Sequence, residues 1–325
     1  NQLHRKRFLR RRPILRLFDG HCDTLLRCYE TGQSLRQNPG QVDLQRGRQL
    51  EAYAQFFAIF GDETTTPGLP LYTLFQKQHQ IFATELAKNA DVAVQCRTAE
   101  EAQAANAGGK IACFLSVEGG ELLDCDTDKL KIAYDLGVRA VNITWNHPNV
   151  LSGTNAEERD RGLSPQGRGF VREMGRLGML VDVSHLSDPG FWDVAELVEG
   201  PFFASHSNSR NICPDPRNLT DAQFTAIIEH KGVAGLNLYA AFLGENATVD
   251  TIVAHLEHFL DLGGAQNVAI GGDWDGCSQL PQGFSDICSL ERLQERLLQR
   301  NYSQTLIEAL FYNNMMRVVK SVCTM

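Results

Sequence analysis

Eight short apolar runs, separated by longer segments with helical spacing, constrain the fold of this chain more than any other feature. The runs lie at 14–18, 54–60, 110–117, 138–145, 180–184, 202–205, 233–239 and 268–272. Strands that alternate with helices pair in parallel through βαβ units. Eight such strands predict a closed (β/α)8 barrel, the TIM barrel, rather than an open doubly wound sheet.

The length of the chain fits one barrel with extra helices at its end. Barrels of this kind commonly reach about 250 residues and can be longer, so 325 residues need only one domain. Helical spacing recurs at 71–89, 127–136, 166–177, 188–198, 220–230, 249–262, 290–300 and 303–320. We therefore predict a basic N-terminal arm at 1–13 and one α/β domain at 14–325, which ends in two additional helices.

Charge is unevenly distributed along the chain. The formal net charge is -8, yet the first sixteen residues carry seven lysines and arginines and no acid, which leaves -15 for the rest. Nucleic-acid binding usually requires a basic face on the folded domain, so this composition argues against a nucleic-acid partner. The basic arm is expected to be a solvated tail.

The sequence contains no pattern typical of membrane attachment. No stretch approaches the roughly 18 continuous apolar residues of a membrane helix, and the basic arm is not followed by the apolar region of a signal peptide. The final residues K-S-V-C-T-M lack the hydrophobic tail of a lipid-anchor signal. Nine scattered cysteines without a C-x-x-C pair fit reduced thiols. We expect a cytoplasmic protein without a membrane anchor.

Side chains with metal-binding chemistry follow five of the eight predicted strands. The active site of such barrels lies at the carboxyl ends of the strands, so these groups should meet at one mouth. Imidazole and carboxylate suit zinc and similar divalent metals, and this number of them favours two ions about 3.5–4 Å apart that share a carboxylate. The residues are His21, Asp23, Glu118, His185, His206, Asp273 and Asp275.

Each of these residues also has an ordinary structural alternative. A single histidine at a strand end can be a hydrogen-bonded structural residue, and Asp23 or Glu118 could cap a helix. Their coincidence at one predicted face favours a functional site. Other chemistries lack support, because the sequence has no G-x-S-x-G, H-E-x-x-H or strand-linked G-x-G-x-x-G motif. We interpret His255 and His258 as part of a solvated helix face.

Ordered motifs along the chain resemble those of the membrane (renal) dipeptidase family, binuclear zinc dipeptidases related to the amidohydrolase barrels. The resemblance extends over about 14–320 and is to a soluble, bacterial-type member. The motifs are D-G-H-C-D at 19–23, S-V-E-G-G at 116–120, Y-D-L-G-V-R at 134–139, V-D-V-S-H at 181–185, A-S-H-S at 204–207, R-N-I-C-P-D-P-R-N-L at 210–219 and G-G-D-W-D-G at 271–276.

The resemblance implies a ligand set and two further roles. Two divalent metal ions, expected to be Zn²⁺, would be held by His21 and Asp23, by His185 and His206, and by Glu118 as the bridge. Asp273 matches the acid that passes a proton to the leaving amine. Arg210 matches the arginine that binds the carboxylate of the substrate. The resemblance also implies a homodimer.

The chain departs from the family pattern after its fourth predicted strand. The family typically has T-H-N there, with a histidine that contacts the substrate carbonyl, whereas this chain has N-I-T-W-N-H-P. Trp145 therefore takes the place of that histidine, and Trp145 and Asn146 are predicted to contact substrate. His147 could substitute from the same strand face, although a turn before Pro148 is an equal alternative.

The sequence as a whole leads to a functional hypothesis. We expect a zinc-dependent metallopeptidase that hydrolyses small dipeptides, with a hydroxide between the metals attacking the scissile amide, Glu118 bridging and Asp273 moving the proton. Two alternatives stay open. One is a related metal-dependent amide hydrolase acting on N-acyl amino acids or lactams. The other is a metal-binding barrel that has lost turnover, suggested by the missing histidine.

Overall fold

The computed structural model describes residues 15–324, so the predicted arm at 1–13 lies outside the described residues. Nine parallel strands form the sheet. They are β1 Arg16–Cys22, β2 Ala52–Ile59, β3 Ala93–Gln95, β4 Ile111–Glu118, β5 Val138–Asn142, β6 Leu180–Asp182, β7 Phe203–Ala204, β8 Val233–Leu236 and β9 Val268–Ile270. The eight predicted runs correspond to all of these except β3.

The barrel closes because β2 pairs with both β1 and β4. Eight strands then follow one another around the barrel in the order β1, β2, β4, β5, β6, β7, β8, β9 and back to β1. The predicted TIM barrel is confirmed. Strand β3 is additional: its three residues pair with the first half of β4, while β5 pairs with the second half. A strand this short carries too little alternation to be recognised in the sequence.

Helices surround the barrel and continue beyond its last strand. They are α1 Thr24–Thr31, α2 Leu44–Gly47, α3 Leu71–Lys88, α4 Ala99–Ala107, α5 Thr127–Asp135, α6 Pro165–Leu177, α7 Asp188–Leu197, α8 Asp221–Glu229, α9 Ala240–Leu243, α10 Val249–Asp261, α11 Leu290–Gln299, α12 Gln304–Glu308 and α13 Asn314–Val322. A π-helical turn, Ala309–Asn313, joins the last two. The predicted C-terminal helices are therefore present, and the side chain of Ser303 caps α12 through the backbone N–H of Leu306.

Alternation along the strands directs one face of each into the barrel. The rings of Phe18, Phe56 and Phe114 meet there, with centroids 5.2–5.6 Å apart. Tyr312 packs beneath Phe18 from the C-terminal helices. Glu118 lies four residues after Phe114 and on the same face of β4, so its carboxylate points into the barrel at the mouth.

One helix face differs from its sequence-based interpretation. His255 of α10 is fully buried, and its two ring nitrogens bond to the backbone N–H of Ser209 at 3.1 Å and the carbonyl of Leu243 at 2.9 Å. The predicted solvated face was wrong for this residue, because the loop after β7 and helix α9 cover it.

Within 15–324, no helix combines the length and the apolarity that crossing a membrane demands.

Three glycines allow the barrel strands to approach the backbone of the loop that follows β7. A Cβ atom on Gly271, Gly235 or Gly20 would lie 1.7, 2.1 or 2.7 Å from the carbonyl oxygen of Ser205. These distances are far below van der Waals contact, and the obstacle is backbone that cannot rotate away. Glycine is therefore required at the contact that positions the peptide before His206.

We predict that Gly271→Ala destabilises the protein by about 3 kcal/mol, because the added methyl group overlaps the Ser205 carbonyl. The free energy of unfolding from urea denaturation, followed by circular dichroism, measures this. The matched control is Gly175→Ala in α6, where a Cβ would meet no described atom within 4 Å. That variant should gain about 0.5–1 kcal/mol. Equal stabilities for the two variants would contradict the packing assigned to Gly271.

Candidate metal centre

Glu118 lies at the centre of the groups that the strand ends bring together. One of its oxygens is 2.9 Å from His185 Nε2 and 3.4 Å from His206 Nε2. Its other oxygen is 3.5 Å from His21 Nε2, which is itself 3.5 Å from Asp23 Oδ2. The two halves of the predicted ligand set therefore meet on opposite oxygens of one carboxylate.

Three overlapping sets of side chains have potential ligand atoms within 4.8 Å of one another. They are His21 with Asp23 and Glu118, Glu118 with His185 and His206, and His21 with His206 and Asp273. All six residues are buried. The structure thus gathers the five predicted ligands and Asp273 in one cluster.

The chemistry of this cluster fits divalent cations. His185 Nε2 and His206 Nε2 face each other at 3.1 Å, and the rings of His21 and His206 stack with centroids 3.9 Å apart. Within the described chain, His21 Nε2 and Asp23 Oδ1 are buried without a hydrogen-bond partner. Buried lone pairs that face one another are costly unless a cation lies between them. The donor set is one that zinc prefers.

Hydrogen bonds on the far side of two rings fix their orientation. His185 Nδ1 lies 2.9 Å from Asn146 Oδ1, and His206 Nδ1 lies 2.6 Å from Ser205 Oγ. An amide oxygen can only accept, so the Nδ1 of His185 carries the proton and its Nε2 keeps a lone pair for a metal. Asn146, predicted to contact substrate, is therefore also a support for His185.

Burial dominates the electrostatics of the cluster. It raises the pKa of Glu118 to about 8 and raises that of Asp273 as well. Burial also lowers the pKa of His185 and His206 well below the usual value. Burial alone would lower the pKa of His21, but Glu118 and Asp23 raise it well above. Burial thus disfavours the charged forms of Glu118, Asp273, His185 and His206, and among the three histidines only His21 is shifted towards its protonated form.

The two acids after β9 have different surroundings. Asp273 adopts a left-handed backbone conformation, with φ at 57°, and one of its oxygens accepts a hydrogen bond from Asn237 Nδ2 at 3.1 Å. Asp275 instead accepts from Thr24 Oγ1 and from the backbone N–H of Gln41, each at 2.7 Å. Asp273 faces the cluster, whereas Asp275 joins loops.

Asn237 was missed at the sequence level because an amide after an apolar run carries no distinctive signal. It is fully buried at the end of β8, and its position among the strand ends is the one feature that could have identified it.

Two arginines in the R-N-I-C-P-D-P-R-N-L segment have unequal access to the cluster. Arg210 forms a bidentate ion pair with Asp188 at 2.8 and 2.9 Å and donates to two backbone carbonyls. It is not among the residues brought together at the centre. Arg217 is buried there, with its Nη2 3.1 Å from both His185 Nε2 and the carbonyl of His206. The motif contains both arginines, and the family resemblance was matched to Arg210 alone.

A cavity of about 210 Å³ opens above the cluster. Its lining combines acids and ligands with apolar and aromatic side chains: Asp23, Leu26, Phe60, Glu118, Trp145, Asn146, His185, Tyr239, Phe242, Asp273, Asp275 and Gly276. Trp145 thus borders the site as predicted from its position. His147 does not line this cavity; its ring lies near Glu157 and Asp62, at 3.1 and 3.9 Å. The substitution of His147 for the family histidine has no support in this arrangement.

Comparison with known proteins assigns the family. The family described as "Membrane dipeptidase (Peptidase family M19)" matches residues 5–325. The chain belongs to the membrane dipeptidase family. One curated relative of this dipeptidase-family chain is a Klebsiella pneumoniae protein described only by its place in the pqqA 5' region. It is 33% identical, and the match covers 79% of this chain and 99% of the relative. An uncharacterized dipeptidase of Schizosaccharomyces pombe is 30% identical, covering 94% and 80%.

Solved structures agree with this membership. The dipeptidase AC, a metallopeptidase of the same family, superposes with a TM-score of 0.86 at 28% identity, covering 95% of this chain and 99% of its own. A metallopeptidase from Rhodobacter sphaeroides, liganded with a phosphinate mimic of the dipeptide L-Ala-D-Ala, gives 0.85 at 28% identity, with 95% and 100% coverage. This dipeptidase-family chain therefore has the fold of metallopeptidases over almost its full described length.

We predict that Asn146→Ala weakens metal binding by about 10- to 100-fold, because His185 loses the acceptor that fixes its tautomer and ring orientation. Competition for zinc with a chromophoric chelator measures the affinity. Asn146→Asp keeps an acceptor and should retain binding, and Asn313→Ala, at an exposed site in the π-helical turn before α13, should leave it unchanged. Unaltered affinity in Asn146→Ala would remove Asn146 from this role.

Proposed function

We propose that this protein is a zinc-dependent dipeptidase that uses two divalent metal ions. The observation that carries the proposal is the position of Glu118. One of its oxygens faces the imidazoles of His185 and His206, and the other faces His21, which lies beside Asp23. The cavity above them, at about 210 Å³, is smaller than the roughly 300–1,000 Å³ of sites for drug-sized ligands. A short substrate fits this combination best.

The bound metals and the side chains would divide the chemistry. When bound, two divalent ions would supply an activated water and polarise the scissile carbonyl. Asp273 is the candidate proton carrier to the leaving amine, since its carboxylate belongs to the cluster and borders the cavity above it. Asn237 donates a hydrogen bond to one oxygen of Asp273, which lines the cavity.

We further propose that Arg217, rather than Arg210, binds the carboxylate of the substrate. Four of the five N–H donors of Arg210 already bond to Asp188 and to backbone carbonyls. Arg217 is buried beside His185 and His206, and its Nε has no hydrogen-bond partner among the described residues. A buried donor without a partner costs about 1–3 kcal/mol, and an anionic ligand would relieve that cost.

Compartment and assembly are parts of the same proposal. All nine cysteines are free and most are buried, and burial raises the pKa of thiols such as Cys28 and Cys96 to about 12. Unpaired, unreactive thiols support a reducing compartment, and we propose the cytoplasm. The homodimer implied by the family resemblance stays a prediction.

Asp273→Asn should lower kcat on a dipeptide such as Ala-Ala by about 10²- to 10⁴-fold, because the amide cannot carry the proton to the leaving amine. Steady-state kinetics on the zinc-loaded protein measures this. Asp261→Asn, at the exposed end of α10, is the control and should be fully active. Chelation should abolish hydrolysis and added zinc should restore it. Hydrolysis that survives complete metal removal would contradict the proposed function.

Arg217→Met should raise KM for free dipeptides by about 100-fold, the equivalent of roughly 3 kcal/mol for a buried charge pair. C-terminally amidated dipeptides should be poor substrates of the wild type and should lose little more in the variant. Arg210→Met should alter stability through Asp188 and leave KM nearly unchanged. A KM effect confined to Arg210→Met would reverse the assignment of the two arginines.

A further inference from the structure

Phe60 and Trp145 form an aromatic pair at the mouth of the barrel. Their ring centroids are 4.7 Å apart, and the ring of Trp145 lies 6.3 Å from that of His185. Phe60 directly follows β2, and Trp145 lies three residues after β5. Because β4 lies between these strands, the pair spans the mouth above Glu118, the last residue of β4.

A second cavity, of about 390 Å³, lies next to this pair. Phe60, Glu118 and Trp145 line one side of the substrate cavity, and residues that follow each of them in the chain line the second cavity. Asp62 follows Phe60, Glu121 follows Glu118, and His147 follows Trp145. The ring of His147 lies 5.5 Å from that of Trp145. The Phe60–Trp145 pair therefore lines the substrate cavity on the side that faces the second cavity, which neither ring lines.

The strand order determines which end of a dipeptide meets this pair. In the eight-stranded ring, β8 lies directly across the barrel from β4. Tyr239 and Phe242 line the substrate cavity from beyond β8, and Arg217 lies against the ring of Phe242. A substrate carboxylate held by Arg217 would thus lie on the β8 side. With the scissile bond above Glu118, the amino-terminal side chain would point towards Phe60 and Trp145.

We propose that Trp145, packed against Phe60, is a specificity-determining residue that limits the size of the amino-terminal side chain of the substrate. The inference rests on the proposed dipeptidase function and names its substrate class: dipeptides with a small amino-terminal residue. The indole occupies one side of the substrate cavity, and its position is fixed by the contact with Phe60. Removing it makes room for a bulky side chain in place of the ring.

The test measures kcat/KM of zinc-loaded protein on two dipeptide series, X-Ala and Ala-X, with X as Ala, Leu or Phe. Wild type should prefer Ala-Ala to Phe-Ala. Trp145→Phe, Trp145→Leu and Trp145→Ala should raise the Phe-Ala to Ala-Ala ratio progressively, by at least about tenfold in the alanine variant. Small differences in side-chain size are worth about 10- to 200-fold in such pockets. The Ala-Phe to Ala-Ala ratio should stay near its wild-type value.

Trp192→Ala is the matched control, because this tryptophan is 45% exposed on α7 and lines neither cavity. It should leave both ratios unchanged. If the alanine variant misfolds, the phenylalanine and leucine variants still test the inference. Circular dichroism checks that each variant is folded. Unchanged X-Ala ratios in folded, active variants would overturn the inference and leave the dipeptidase function intact, as would a change confined to the Ala-X series. Absence of hydrolysis in the wild type would overturn both.

Discussion

The buried carboxylate of Asp19 connects the strands on which the site depends. Its two oxygens accept from the backbone N–H groups of His21 and Gly272 and from the side chains of Gln55 and Trp274, at 2.9–3.0 Å. These donors come from β1, β2 and the turn after β9. Burial raises the pKa of Asp19 to about 6, and the four donors oppose that rise. The carboxylate thus fixes His21 and the Asp273 turn relative to each other at the ends of the neighbouring strands β1 and β9.

Glu118, at the candidate metal centre, is also a buried carboxylate that must be compensated, but its neighbours differ from those of Asp19. Asp19 is compensated by neutral N–H donors, whereas Glu118 is surrounded by groups that must themselves be compensated. Its neighbours are imidazoles whose lone pairs face inward and a second carboxylate, Asp23. Neutral hydrogen bonds cannot satisfy both kinds of group at once. A bound cation can, and this supports the divalent metal ions proposed for the site.

Much of the fold and the metal cluster could be predicted because both depend on simple periodicities. The eight runs identified the barrel, and the carboxyl ends of its strands identified His21, Glu118, His185 and His206 as neighbours. Strand β3 was missed because three residues show no period. Arg217 was missed because its importance comes from a donor that remains unpaired after folding, and Asn237 because its importance comes from its contact with Asp273; sequence contains neither kind of information.

Strand β3 also alters how the barrel is joined around its circumference. It occupies the hydrogen-bonding edge of β4 at residues 111–113, so the contact between β4 and β5 begins only at Leu115. Strands β4 and β5 consequently pair directly only near the mouth of the barrel, where Glu118 pairs with Asn142. Direct pairing between β4 and β5 is therefore confined to the part of the barrel that holds the candidate metal ligands, and β3 takes the place of β5 beside the first half of β4.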